Sequence, residues 1–137
     1  MNVKYNDKFW FKDDVYSLND MFGGSKYQKE EVAKHFEGGT IYQAFLSALY
    51  YHRWHAPVDG IIEDIYAIVG TYYLDQSQFI SHDEGSPNNS ESFLSAVAAR
   101  KVIIINCSNP NIGKVGIIYI GMAEVSSCIH TVNVGDN

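Results

Sequence analysis

Gly38-Gly39-Thr40-Ile41-Tyr42-Gln43-Ala44-Phe45-Leu46-Ser47-Ala48-Leu49-Tyr50-Tyr51-His52-Arg53-Trp54-His55-Ala56-Pro57-Val58-Asp59-Gly60 is the stretch around which the rest of the chain is organised. Thr40 to Leu46 is rich in β-branched and aromatic residues and reads as an apolar strand. Ser47 to Tyr50 reads as one helical turn. His52 to Ala56 returns to extended geometry as a second strand, because Pro57 disfavours helix in the residue before it. Two imidazoles, His52 and His55, open that second strand, with Arg53 and Trp54 between them. Imidazole titrates closest to neutrality, so the pair invites a proton-transfer reading. Three residues apart, they share a face on a helix and point to opposite faces on a strand. On residue chemistry alone, two histidines bonded to structural carbonyls remain the competing account.

Outward from this stretch, short apolar runs alternate with turn residues. Val3 to Tyr5 and Lys8 to Phe11 read as strand pieces. Ser17-Leu18-Asn19-Asp20 resembles a capping box, and Gly23-Gly24 would end its short helix. Ser25 is placed to cap a helix over Lys26 to Phe36, where Tyr27, Val32 and Phe36 recur at helical spacing before Gly38. Ile61 to Val69 is a long strand with Glu63 and Asp64 at its middle, which implies a wet face or a bulge. Asp75 to Ser90 is polar and reads as a mobile loop or lid. Asn89 or Ser90 would cap a helix running to about Arg100. Lys101 to Asn106 has the Val-Ile-Ile-Ile pattern of a fully buried strand. After the turn at Asn109-Pro110-Asn111, Lys114 to Glu124 closes a hairpin with it, and Ile129 to Val134 begins another strand. The fold class is α+β, mainly antiparallel β in sandwich- or barrel-like sheets, with two or three short peripheral helices.

A chain of 137 residues, 46% hydrophobic and 19% charged, suits one globular domain with a real core. Its formal net charge of −6 argues against nucleic acid and against electrostatic docking on anionic lipid. Cys107 and Cys128 make neither a disulfide framework nor a zinc pattern. No run is long enough to cross a bilayer and no signal peptide is visible, so the cytoplasm is the default compartment, unless a further N-terminal region anchors the protein. His52 and His55 with Cys128 or His130 would be the candidate metal set, but their spacing guarantees no convergence and no metal is expected. Arg53 suits either an anion or a surface pair with Asp59 or Glu63. Trp54, Tyr72 and Tyr73 would suit a flat apolar slot for a substrate, or core packing.

Tyr51-His52-Arg53-Trp54-His55-Ala56-Pro57 resembles the Tyr-His-Arg-x-His-x-Pro signature of the phosphatidylserine decarboxylase family, which are pyruvoyl-dependent enzymes. The likeness extends through Gly39-Thr40, Leu46-Ser47 and Gly121-Met122-Ala123-Glu124-Val125-Ser126-Ser127, and covers about Lys8 to Gly135. The wording is nearest the soluble branch that includes tryptophan decarboxylases. The resemblance implies that His52 serves decarboxylation, by holding the substrate carboxylate or reprotonating the product carbanion. It implies that His55 is the general base of maturation, in which a serine hydroxyl attacks the carbonyl before it and elimination leaves a pyruvoyl group. Arg53, Trp54, Tyr72 and Tyr73 would bind substrate. In the family the precursor serine stands in a Gly-Ser-Thr-like motif after the last strand, and an acid on an upstream strand orients the maturation histidine. Neither falls within residues 1–137, with Asp59 a weak stand-in for the acid.

The expectation is therefore a single partial domain, the central, histidine-bearing part of a larger one, inactive alone. Its partner would be the smaller pyruvoyl-bearing subunit or C-terminal segment, and uncovered strand edges would favour a homodimer. The substrate would be an amino acid such as tryptophan, or phosphatidylserine. The acidic net charge and the nearly cancelling charges of Lys26 to Phe36 favour the amino acid. The alternative is a non-catalytic β-rich binding or partner module derived from the family.

Overall fold

Val102-Ile103-Ile104-Ile105 leaves a strand no polar face, so both of its faces must be covered. In the computed structural model, which describes residues 9–11, 14–44, 46, 50–72, 97–122 and 125–137, that strand is the centre of the fold. Two elements open the described chain, β1 (Phe9–Phe11) and β2 (Asp14–Tyr16), paired antiparallel with Trp10 opposite Val15. Then come α1 (Leu18–Phe22), a 3-10 turn (Gly24–Tyr27) and α2 (Glu30–Lys34). The main sheet follows: β3 (Gly60–Ile68), β4 (Arg100–Cys107) and β5 (Lys114–Ile120), antiparallel in the order β3-β4-β5. All four branched residues of β4 are at most 6% exposed, which places β4 at the centre of the core. On one face Val102, Ile104 and Ile68 pack against Leu18, Phe22 and Ala33 of the helical layer. On the other, Ile103, Ile105 and Ile62 pack with Val58, Ile65, Ile117, Tyr119 and Val132. The fold is α+β with antiparallel sheets and short helices.

The two acids in β3 mark a bulge. Ile62 pairs with Ile105 and Asp64 with Ile104, so Glu63 is the extra residue. The extra residue brings Ile62 and Ile65, three apart, onto the same sheet face, which strict alternation forbids. Asp64 then meets Lys29 and Glu63 meets Lys114.

Ser17 caps α1 as its sequence suggests, accepting a hydrogen bond from the Asp20 amide at 3.1 Å. Gly23, with φ at 85°, ends the helix in the left-handed conformation that glycine adopts without a Cβ penalty. The single helix expected over Lys26 to Phe36 is instead broken at Gln28, which sits in the left-handed region at φ 55°. The reason is tertiary. Tyr27 accepts a hydrogen bond from the Val69 amide at 2.7 Å, and Lys29 pairs with Asp64 and lies over the Tyr66 ring. Residues two apart cannot both face β3 from one helix.

Three expected strands have no regular structure where they are described: Thr40 to Leu46, His52 to Ala56, and Ile129 to Val134. Strand propensity reports fit to a pleated, half-buried surface. Tyr42 is 88% exposed and Ile129 83%, so that surface is not supplied to them. The strand expected to reach Glu124 ends at Ile120. Met122 and Val125 exchange both backbone hydrogen bonds, turning the chain back, and a Cβ on Gly121 would stand 2.5 Å from Ser126 Cα. Arg100, expected at a helix end, opens β4. Val3 to Tyr5, Ser47 to Leu49, Tyr73, the polar stretch Asp75 to Ser90 and the helix expected after it, up to residue 96, lie outside the described residues.

Gly116 lets the helical layer close on the sheet. Phe22 and Phe36 stack with centroids 4.8 Å apart, and a Cβ on Gly116 would meet both rings at 2.9–3.0 Å. Gly116→Val is expected to cost about 1–3 kcal/mol or more by overpacking. A lowered thermal midpoint, partly restored by pairing it with Phe36→Leu, is the measurement.

Candidate active site

The signature Tyr51 to Pro57 runs as irregular chain immediately before β3. Its side chains are held by packing on the sheet and by one another. Trp54 stacks on Tyr119 of β5, with centroids 4.1 Å apart and planes at 19°. Tyr119 points to the face of Ile117 and Ile103, away from the helices. Burial pushes its phenol above the ordinary range, so it stays protonated and supplies a flat, half-buried platform. Trp54 remains 42% exposed, packed on one side and open to solvent on the other.

The two imidazoles are in different states. His52 is half-buried, and its Nε2 is buried with no hydrogen-bond partner. A buried polar nitrogen left unpaired costs roughly 1–3 kcal/mol, so native structures rarely leave one without a reason. His55 is exposed. Its Nε2 lies 3.0 Å from the Tyr51 hydroxyl, and the two rings stack with centroids 5.9 Å apart and planes at 6°. The competing account of both histidines as structural carbonyl-binders does not describe this arrangement: neither Nε2 bonds a backbone carbonyl.

Arg53 is exposed and makes no ion pair with Asp59 or Glu63; Glu63 pairs with Lys114. Asp59 is exposed in the turn before β3, and the side-chain partner of His55 is Tyr51. Tyr72 is 63% exposed beyond the Thr71–Ala98 bridge and makes no ring contact with Trp54 among the described residues. The structure therefore unites Trp54 with Tyr119, and leaves Arg53 and Tyr72 apart from that stack. Tyr73 lies outside the described residues.

Next to the Trp54–Tyr119 stack, Cys128 Sγ donates to the Tyr119 carbonyl at 3.6 Å. Burial pushes this thiol up, opposed by Lys101, so it is no ready thiolate. His130 Nδ1 lies 3.4 Å from Lys101 Nζ. No group of three or more His, Cys, Asp and Glu side chains converges as a metal site among the described residues. An open depression of about 460 Å³, lined by Val58, Asp59, Cys107, Ser108, Asn109 and Ile112, touches none of the signature residues Tyr51 to Pro57.

Tyr51 and Tyr119 are the partners of His55 and Trp54 that sequence reasoning did not single out. Tyr119 shares the inward parity of Ile117, which is a signal, but its partner Trp54 comes from irregular chain. Tyr51 and His55 are four apart, a spacing that signals contact only on a helix.

The chain matches the sequence profile of the family described as phosphatidylserine decarboxylase over residues 1–137. It is 42% identical over 144 residues to Decarboxylase iboD of Amanita muscaria, covering 98% of this chain and 40% of that protein. It is 35% identical over 147 residues to an L-tryptophan decarboxylase of Psilocybe cubensis, covering 99% of this chain and 32% of that protein. A phosphatidylserine decarboxylase proenzyme of Fusobacterium nucleatum is 40% identical over 72 residues, 53% of this chain and 22% of the relative. The chain belongs to the phosphatidylserine decarboxylase family. It spans 40% or less of the length of these relatives.

Proposed function

We propose that the protein is the histidine-bearing part of a pyruvoyl-dependent decarboxylase that acts on a soluble amino acid. The observation that carries this reading is the buried, unpartnered Nε2 of His52 inside the signature. A buried proton donor or acceptor with no partner in the protein is what a site for a polar, reacting group requires. His52 is the residue with a free buried atom to offer to a pyruvoyl group and its substrate. When bound, that group supplies the electron sink for loss of CO2.

The chain's own residues have three tasks in this reading. His52 holds the substrate carboxylate or delivers a proton to the carbon it leaves. His55 removes the proton of the attacking serine during maturation. Trp54, seated on Tyr119, gives an aromatic side chain a flat surface and keeps water from it. The relative named as an L-tryptophan decarboxylase matches nearly the whole chain, which supports an amino acid over a lipid. So does the formal charge of −6, which gives an anionic bilayer little to attract. Among the described residues no helix is long and apolar enough to cross a membrane. The pyruvoyl-bearing subunit or segment would be the partner that meets the His52 face, in a protein that works in the cytoplasm.

The test uses the full-length protein. Given tryptophan, tyrosine, serine and phosphatidylserine in parallel, it is expected to release CO2 from an amino acid and to lose that activity on reduction with borohydride. Turnover of the phospholipid alone, with binding to liposomes, overturns the substrate. Absence of chain cleavage and of a borohydride-sensitive carbonyl overturns the whole reading.

A further inference from the structure

Among the described residues, no backbone–backbone hydrogen bond involves residues 50–58, the stretch that carries the signature. The indole of Trp54 is fixed instead by its neighbour in space. Tyr119 stands on β5 opposite Lys101 of β4, inside the antiparallel ladder that sets its position. The Cys128 thiol adds a bond to the Tyr119 carbonyl at 3.6 Å. The Trp54 ring lies on the Tyr119 ring with centroids 4.1 Å apart and planes at 19°. The sheet therefore sets the plane of the indole, although the indole projects from irregular chain. One indole face is occupied by this contact, and at 42% exposure the residue keeps its other face open to solvent.

We infer that Tyr119 is a specificity-determining residue: through Trp54 it selects amino acids with a flat aromatic side chain over aliphatic ones of similar size. This rests on the proposed decarboxylase reading, in which the substrate is a soluble amino acid. Two aromatic rings gain from offset stacking beyond the area they bury. A saturated ring has no such quadrupole and is puckered, so it meets a flat face with fewer atoms. The stacking gain is largest on a wall that is already held, because a wall free to turn must first be ordered. Tyr119 removes that cost in advance. Burial pushes its phenol up and keeps it protonated, so the platform under Trp54 stays neutral. Trp54 follows His52 by two residues, which span at most about 7 Å of chain, so the wall and the imidazole are close enough to serve one small substrate. Tyr119 itself has the indole between it and that substrate, and acts as a positioning residue.

The experiment compares the full-length wild type with Tyr119→Leu and Tyr119→Met, which delete the ring, with Tyr119→Phe, which keeps it, and with Trp54→Leu. Each is given phenylalanine and cyclohexylalanine, whose side chains share a carbon skeleton and differ in being flat or puckered. Release of CO2 gives kcat and KM. Wild type is expected to favour phenylalanine, and loss of the Tyr119 ring to lower that preference by about 3- to 10-fold, chiefly through KM. Tyr119→Phe is expected to retain it. Trp54→Leu is expected to lower it at least as far, with no further loss when Tyr119→Leu is added, because the two rings act as a unit. A Tyr119 that served folding alone would lower both rates together and leave their ratio unmoved. Calorimetric binding of phenethylamine and cyclohexylethylamine repeats the comparison without turnover. CO2 release with a ratio that Tyr119→Leu and Tyr119→Met leave unmoved, or with no wild-type preference for the flat ring, overturns the inference and leaves the decarboxylase reading standing. Absence of CO2 release from every amino acid overturns that reading. The amine affinities then decide the inference: a preference that falls with the Tyr119 ring supports it, and an unmoved one overturns it.

Discussion

His52→Ala in the full-length protein is expected to leave chain cleavage intact and to lower decarboxylation by ~10²–10⁴-fold, the usual cost of removing a general acid or base. The stability change should be small. The ring is half-buried, but its Nε2 has no hydrogen bond to lose, and deleting an unpaired buried polar atom removes a cost of roughly 1–3 kcal/mol. Loss of the packing around the ring works in the other direction. A histidine kept for structure would show the opposite pattern, a fall in thermal midpoint that accounts for the fall in rate. The two readouts therefore separate the roles: CO2 release for chemistry, thermal midpoint for packing. If His52→Ala stops cleavage while His55→Ala permits it, the roles of the two imidazoles are reversed. If activity falls only in proportion to folded protein, His52 is not catalytic.

What the sequence made legible follows the physics of each segment. β4 was readable because four branched aliphatics in a row have only one environment that suits them, and they are buried on both faces. The Ser17 cap and the Gly23 stop were readable because their chemistry is local. The acids of β3 announced an irregularity, and the bulge at Glu63 is its form. The break in the helix after Tyr27 was not readable, because it is caused by β3, some forty residues away along the chain. The same holds for the signature. Its residue types identified the histidines, but its backbone is irregular, so no period of 2 or 3.6 places its side chains. Trp54 on Tyr119, the unpartnered Nε2 of His52 and the Tyr51–His55 contact are tertiary facts. Sites commonly depart from local rules, and this segment breaks its strand propensity at the residues on which the function is proposed to depend.

Arg100→Met is expected to destabilise the protein by about 3 kcal/mol, from named bonds with separate origins. Arg100 is only 6% exposed, at the first position of β4. Its guanidinium donates to the Asp20 carbonyl at 2.8 Å, the Met21 carbonyl at 3.3 Å and the Ala98 carbonyl at 3.1 Å. The first two belong to the last turn of α1, where the Asp20 carbonyl also accepts the Gly23 amide at 3.3 Å, and that turn holds no basic residue of its own. A buried cation from the sheet thus completes the end of a short helix. Burial works against the charge and lowers the pKa of the guanidinium; Tyr27, Tyr66 and Asp20 oppose that shift. The carbonyl bonds are charge-assisted, at roughly 1.5–3 kcal/mol each before desolvation is subtracted. Methionine fills similar volume but removes all three charge-assisted bonds, leaving the Asp20 carbonyl with the Gly23 amide alone, and this loss sets the sign. Arg100→Lys should lie between, since one ammonium keeps the charge but cannot span three carbonyls in a fixed fork. The measurement is the urea midpoint of the three proteins, with the expected order wild type, Arg100→Lys, Arg100→Met. An Arg100→Met protein as stable as wild type would mean that water reaches the end of α1, and that the helical layer is held by the Phe22–Phe36 stack and the Lys29–Asp64 pair instead.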